Sequence, residues 1–198
     1  MLVLGLTGSL AMGKTTVAGM FAAEGAAVFN ADRAVHNLYR GPAVAALKAA
    51  FPGTTRGGAV DRALLGRAVA GNPPALAKLE AIVHPLVHAV EDAFRARAAD
   101  HGRRLIVLDI PLLLETGGEK RVDAVVVVST TPEIQRTRIL GREGMTEKVA
   151  ARLVARQMPD ADKRVRAHYI IDTSGDLAAT RRQVADLVRT IAGMMAVR

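Results

Sequence analysis

Gly8-Ser9-Leu10-Ala11-Met12-Gly13-Lys14-Thr15 follows a hydrophobic stretch, Leu2 to Thr7, and leads into a segment where Val17, Met20 and Phe21 recur at helical spacing. It fits the pattern G-x-x-x-x-G-K-[ST] in the strand–loop–helix setting that the pattern requires. Glycines at those positions let successive backbone N–H groups turn toward one anion, and the helix N-terminus adds its partial positive charge. Lys14 then reaches β- and γ-phosphates, and the Thr15 hydroxyl is placed for Mg²⁺. Gly8, Ala11, Met12, Gly13, Lys14, Thr15 and Thr16 are the candidate nucleotide-binding residues. The stretch predicts a nucleoside triphosphate site and, with it, an α/β fold.

Working outward, the apolar runs around Ala26–Asn30, Arg104–Asp109, Val122–Val128 and Tyr169–Ile171 read as four further strands. The strand Val122–Val128 carries a continuous β-branched run, 125–128, as expected when both sheet faces are covered. The expected fold is a P-loop three-layer sandwich with a five-stranded, mainly parallel sheet. The chain reads as one domain, 1–198, with its core at 1–40, 103–135 and 168–198. A helical acceptor-binding insertion is expected at 41–102, and a lid at about 136–167. Within the insertion Gly57-Gly58 and Asn72-Pro73-Pro74 mark loops, Asp61 opens a short helix, and no strong strand signal appears. Leu76, Leu79, Val83, Val87, Val90 and Phe94 line one face of a longer helix.

Several polar residues fall where chemistry is expected. Asp32 follows the second strand and reads either as a helix cap or as a carboxylate that takes a proton from an attacking hydroxyl or holds Mg²⁺ through water. Asp109 ends the third strand, in the manner of an Asp near Mg²⁺ or of simple turn chemistry. Beyond it, Ile110 to Glu115, including Leu113, reads as a wall of the acceptor pocket. His84 precedes Pro85, which interrupts a helical pattern and biases His84 away from helical backbone; it reads as a turn histidine or a ligand contact.

The net charge of +8 implies a polyanionic partner. It is concentrated: residues 136–166 hold nine Lys/Arg against four Asp/Glu. Thr131-Pro132 opens a helix with Arg138 and Arg142 at i,i+4, and Thr146 caps a next one with Lys148, Arg152 and Arg156 on one stripe. That density predicts a mobile lid that brings arginines to transferring phosphates. Aromatics make up only 3% and Trp is absent, which argues against a base-stacking nucleic-acid surface. With no cysteine, no apolar run of bilayer length and no secretory pattern at its start, the chain reads as soluble and cytoplasmic, without a membrane partner.

Together these motifs resemble the dephospho-CoA kinase family over nearly the whole length. The residues that carry the resemblance are the P-loop with Asn30-Ala31-Asp32, Glu80-x-x-x-His84-Pro85, Asp109 to Glu115, Gln135-x-x-Arg138-x-x-x-Arg142, Arg156-Gln157-Met158-Pro159 and Asp172-Thr173-Ser174-Gly175. The resemblance implies ATP and Mg²⁺ as cofactors and dephospho-CoA as acceptor, with Asp32 as general base on its ribose 3′-hydroxyl. It also implies that Lys14, Arg138 and Arg142 act on ATP phosphates, that Ser174 and Gly175 border the adenine, and that His84 and Asp109 lie at the acceptor side. The family often has Asp-Ala-Asp where this chain has Asn30-Ala31-Asp32, so the first carboxylate is expected to be dispensable. The P-loop interior also has fewer glycines than in many members. Other readings are a different small-molecule P-loop kinase of nucleotide or shikimate type, or a nucleic-acid-binding ATPase. Oligomeric state is not encoded in any motif.

Overall fold

The computed structural model describes residues 1–155 and 157–196. In chain order the elements are β1 (Leu2–Thr7), α1 (Lys14–Ala23), β2 (Ala27–Asn30), α2 (Ala31–Leu38), α3 (Val44–Ala50), β3 (Thr55–Arg56), β4 (Ala59–Val60), α4 (Arg62–Val69) and α5 (Pro73–Asp100). They continue with β5 (Leu105–Asp109), β6 (Ala124–Ser129), α6 (Pro132–Leu140), α7 (Glu147–Val154), α8 (Asp160–Val165), β7 (Tyr169–Asp172) and α9 (Leu177–Ala196). The chain divides into two compact units, 1–29 with 98–198, and 30–97.

The first unit is built on a five-stranded sheet of order β2-β5-β1-β6-β7. β1 lies between β5 and β6, parallel to both, and β6 pairs in parallel with β7. Parallel strands need covered faces, and alternate residues of β6 supply both. Val126 and Val128 pack with Leu4, Leu6, Val17, Phe21, Val184 and Leu187 under α1 and α9. Val125 and Val127 pack the opposite way, with Leu113 and Leu114. The expected strands and sandwich are therefore present, with strand ends shifted by at most two residues.

The opposite face is covered differently from expectation. The segment after β5 folds into turns, so that Leu113 is fully buried and Leu112 is the exposed leucine. Gly5 of β1 makes this possible, since a Cβ there would come within 2.5 Å of a Leu113 methyl. Leu113 is a core residue with no surface to offer a substrate, which corrects its assignment to the acceptor pocket.

The second unit is held by Leu38, Tyr39, Leu47, Phe51, Val60, Leu65 and Val83. Here the sequence reading needs three corrections. β3 and β4 form a two-residue antiparallel hairpin, Thr55 opposite Val60 and Arg56 opposite Ala59. Gly57 and Gly58, both at positive φ (55° and 77°), are its turn. Second, α5 runs without interruption through Pro85. Proline removes one helix hydrogen bond, but Leu79, Ile82, Val83, Leu86, Val87 and Val90 bury a continuous face on either side of it, and that burial wins. Third, Leu76 lies off that face and is exposed, its place taken by Ala75.

Candidate functional site

β1 delivers the chain into the loop 8–13, whose shape is imposed by close approaches. A Cβ on Gly8 would sit 2.6 Å from the Val128 carbonyl oxygen, whereas one on Gly13 would make only an ordinary contact with Thr173, and there it is the backbone conformation that calls for glycine. Gly13, at φ +94°, is the residue before α1 and offers no side-chain cap, and no acidic residue lies in the first turn. The first backbone bond of α1 is Val17 N–H to the Gly13 carbonyl at 3.1 Å. The first-turn N–H groups of Lys14, Thr15 and Thr16 precede that bond, have no partner within the helix, and sit at its positive end. Thr15 and Thr16 are exposed, and the Ser9 hydroxyl is buried with no partner among the described residues. This is a cradle for an anion. Met12 contributes backbone only, because its side chain is buried in the core below.

Lys14 does not point into solvent. Its ammonium makes an ion pair with Asp109, a carboxylate that is 1% exposed at the end of β5. The β1–β5 register sets this contact, since Asp109 lies opposite Leu6. Phosphate oxygens entering the cradle would share Lys14 with Asp109.

Thr173, just past β7, ties several parts of the site together, and no role for it is legible in the sequence beyond membership of the Asp172–Gly175 motif. Its hydroxyl donates to the Met12 carbonyl at 2.8 Å and accepts from Arg138 Nη1 at 3.0 Å. The Thr173 carbonyl accepts from Arg138 Nη2 at 2.8 Å. Arg138 is therefore already anchored beside the P-loop by two bonds, rather than waiting on a lid. Arg142 is exposed and lies beyond the end of α6, which stops at Leu140, so the two arginines do not share a helix face. Ser174 N–H donates to Asp172 Oδ1 at 2.7 Å, and its hydroxyl lies 3.2 Å from that of Thr130. The Ser174 hydroxyl and N–H, with help from Arg164, hold the Asp172 carboxyl below its ordinary range. Gly175 follows in the same exposed turn.

Two glutamines grip the loop itself. Gln157 Oε1 accepts from Leu10 N–H at 2.8 Å, and Gln135 Nε2 donates to the Leu10 carbonyl at 2.8 Å. Both stand in quoted motifs, yet nothing local in the sequence says what they touch.

The region expected as a lid is not uniform. Thr131 and Thr146 cap α6 and α7 as expected, with bonds of 3.4 and 3.3 Å, and Arg136 pairs with Glu147 between the two helices. Arg156, expected on the stripe of Lys148 and Arg152, lies outside the described residues. α8, by contrast, is packed on β6, and Lys163 on it is fully buried, 2.8 Å from Glu115 Oε1. That contact is an ion pair by distance rather than a directed hydrogen bond. Burial pushes the Glu115 carboxyl up, but Lys163 and the Met158 N–H, 3.0 Å away, outweigh it and hold the carboxyl below its ordinary value.

In the second unit Asp32 is exposed in the first turn of α2, and it is not the cap. Asn30 is: its Oδ1 accepts from Arg33 N–H at 2.7 Å. Asn caps as well as Asp does, which accounts for an uncharged residue at that position. Asp32 is thus left without the structural duty that was its alternative reading. His84 is exposed and helical on α5, stacked with His88 at 6.3 Å between ring centroids.

The dephospho-CoA kinase family model matches residues 2–179. This chain belongs to the dephospho-CoA kinase family. It is 54% identical to the dephospho-CoA kinase of Brucella melitensis biotype 1 over 193 residues, which is 98% of this chain and 96% of that one. Among solved structures, a Thermus thermophilus protein superposes with a TM-score of 0.87 at 31% identity, covering 96% of each chain. The dephospho-CoA kinase of Campylobacter jejuni superposes at 0.63 with 23% identity and the same coverage, a likeness of fold. No helix among the described residues is long and apolar enough to cross a membrane.

Proposed function

We infer that this protein transfers the γ-phosphoryl group of ATP to dephospho-CoA, giving coenzyme A and ADP, the last step of CoA synthesis. The observation that carries the reading is the anion cradle of residues 8–16, with Lys14 at its centre, in a chain that matches the dephospho-CoA kinase family almost end to end.

In this reading the open N–H groups at the start of α1 and the Lys14 ammonium bind the ATP phosphates. Thr15 and Asp109 supply the oxygen donors for Mg²⁺. Two protein oxygens suit an ion that keeps several waters and binds mainly through substrate phosphates, and among the described residues no cluster of three carboxylates or imidazoles offers a richer cage. When bound, the ion would neutralise charge on the β- and γ-phosphates. Arg138, pinned by Thr173, adds positive charge that needs no rearrangement at the moment of transfer, and the exposed Arg142 adds to it. Ser174 and Gly175 border the adenine. His84 is a contact for the acceptor, and Asp32 accepts the proton of the ribose 3′-hydroxyl as it attacks the γ-phosphorus. Asp32 is exposed and does not cap α2, which supports that role. We take the partners to be these two small molecules rather than nucleic acid, and the enzyme to act in the cytoplasm.

The test is ADP release with ATP and Mg²⁺ across a panel of acceptors: dephospho-CoA, AMP, other nucleosides and shikimate. Stimulation by dephospho-CoA alone is expected, and stimulation by another acceptor alone would replace the substrate assignment. In the same assay Asp32→Asn should lower turnover by about 10²–10⁴-fold with little change in ATP affinity. Near-normal turnover would remove Asp32 from the mechanism.

A further inference from the structure

We propose that Gln135 and Gln157 are positioning residues that hold the P-loop in its phosphate-binding shape by fixing both sides of Leu10. The inference deepens the reading of the ATP site and rests on it.

The argument begins with strain. Ala11 sits at φ +63°, the only described non-glycine residue with positive φ. A Cβ disfavours that conformation, so the loop needs external support to keep it. Peptide planarity then says what the two glutamines control. The Leu10 carbonyl shares a plane with the Ala11 N–H and points the opposite way; fixing that carbonyl on Gln135 therefore aims the Ala11 N–H. The Leu10 N–H shares a plane with the Ser9 carbonyl, and that carbonyl accepts from Met12 N–H at 3.2 Å to close the turn. Fixing the Leu10 N–H on Gln157 therefore orients the turn closure. Between them the amides set three consecutive peptides of the loop, two of them through Leu10 directly.

The positions of the glutamines add a consequence. Gln135 stands on α6 and Gln157 follows α7, so they flank the exposed basic segment that carries Arg142, Lys148 and Arg152. A displacement of that segment would act on the loop through both bonds, so phosphate affinity and the segment's position are linked.

The two bonds have opposite polarity, and this gives a test that a general packing role would not pass. Leu10 N–H can only donate and Leu10 C=O can only accept, so Gln157 must present oxygen and Gln135 must present nitrogen. A glutamate can replace the first and not the second. Gln135→Glu and Gln157→Glu place the same charge at the same residue of the loop, so repulsion of phosphate is common to both and the difference between them reads the hydrogen bond.

We would measure the Kd of a non-hydrolysable ATP analogue with Mg²⁺ by calorimetry on the full chain, with thermal melting to check folding. The expected result is that Gln135→Glu binds about tenfold more weakly than Gln157→Glu. Gln135→Ala should raise the KM for ATP by a similar factor while leaving the KM for dephospho-CoA unchanged. Adding Ala11→Gly, which relieves the strain, should recover part of that loss. Equal weakening by the two glutamates would mean that only charge matters and would overturn the proposal. So would unchanged nucleotide affinity in Gln135→Ala, or no rescue by Ala11→Gly. If the wild type binds the analogue but phosphorylates an acceptor other than dephospho-CoA, the substrate assignment fails while the affinity differences still decide the role of the glutamines.

Discussion

α7 and α8 are separated by five residues in one basic stretch, yet they are held by different physics. α7 is linked to α6 by the exposed pair Arg136–Glu147 and shows Val149 to solvent. α8 is packed on β6, with Lys163 fully buried against Glu115, and with Asp160 Oδ2 accepting from Ser129 at 2.6 Å. Arg164 donates to the same Ser129 hydroxyl at 3.0 Å. Positive charge in a sequence therefore serves two ends: on α7 it remains available to an anion, and on α8 it is used up in folding. Moving α7 away from α6 would break an exposed ion pair, whereas moving α8 would break the buried Lys163–Glu115 contact.

The contrast is sharpest at Glu115. Removing it with Glu115→Ala leaves the buried Lys163 without its counter-charge, and we expect a loss of about 3–5 kcal/mol, a fall in Tm on the order of 10 °C. Acid should do the same more gradually. Because the folded-state carboxyl lies below its ordinary value, its stabilisation is complete above the unfolded pKa and is lost as pH falls through the lowered folded one. Thermal melts of wild type and Glu115→Gln should therefore converge on acidification below about pH 4. A constant gap would show that the pair does not titrate as described.

Ser129→Ala comes next. It deprives Asp160, whose other oxygen is buried without a partner among the described residues, of its short bond, and it takes the acceptor from Arg164. A cost of about 1–3 kcal/mol follows, read as a lower denaturant midpoint. Glu147→Gln should give the smallest effect, hardly moving the Tm and moving it less still in high salt, because its partner is solvated. An effect as large as that of Glu115→Ala would erase the distinction between the helices.

How much of this was legible in the sequence follows the range of each signal. The P-loop, the five strands and the Thr131, Thr146 and Asp61 caps are encoded within a few residues of themselves, by spacing or apolar runs. The Leu10 clamp is not: its partners lie 125 and 147 residues away, and a side-chain bond to a backbone group leaves no periodicity. Leu113 was misread because an apolar run does not say which side of a strand edge it will cover; Gly5, in another strand, decides that. At Pro85 a local rule was outweighed by burial along α5. The hairpin at 55–60 was missed because two-residue strands carry no alternation, although Gly57-Gly58 was the turn signal itself. The cap of α2 is Asn30 and not Asp32, since only the structure tells which of two neighbouring polar residues accepts the helix N–H.

The central claim is chemical and is tested most directly by the fate of the γ-phosphate. ATP labelled at that position would be incubated with the protein, Mg²⁺ and dephospho-CoA, and the product examined by mass spectrometry and ³¹P NMR. The account predicts label in coenzyme A as a ribose 3′-phosphomonoester, in one-to-one ratio with ADP. Label released as inorganic phosphate, or found on another position or another acceptor, would contradict it.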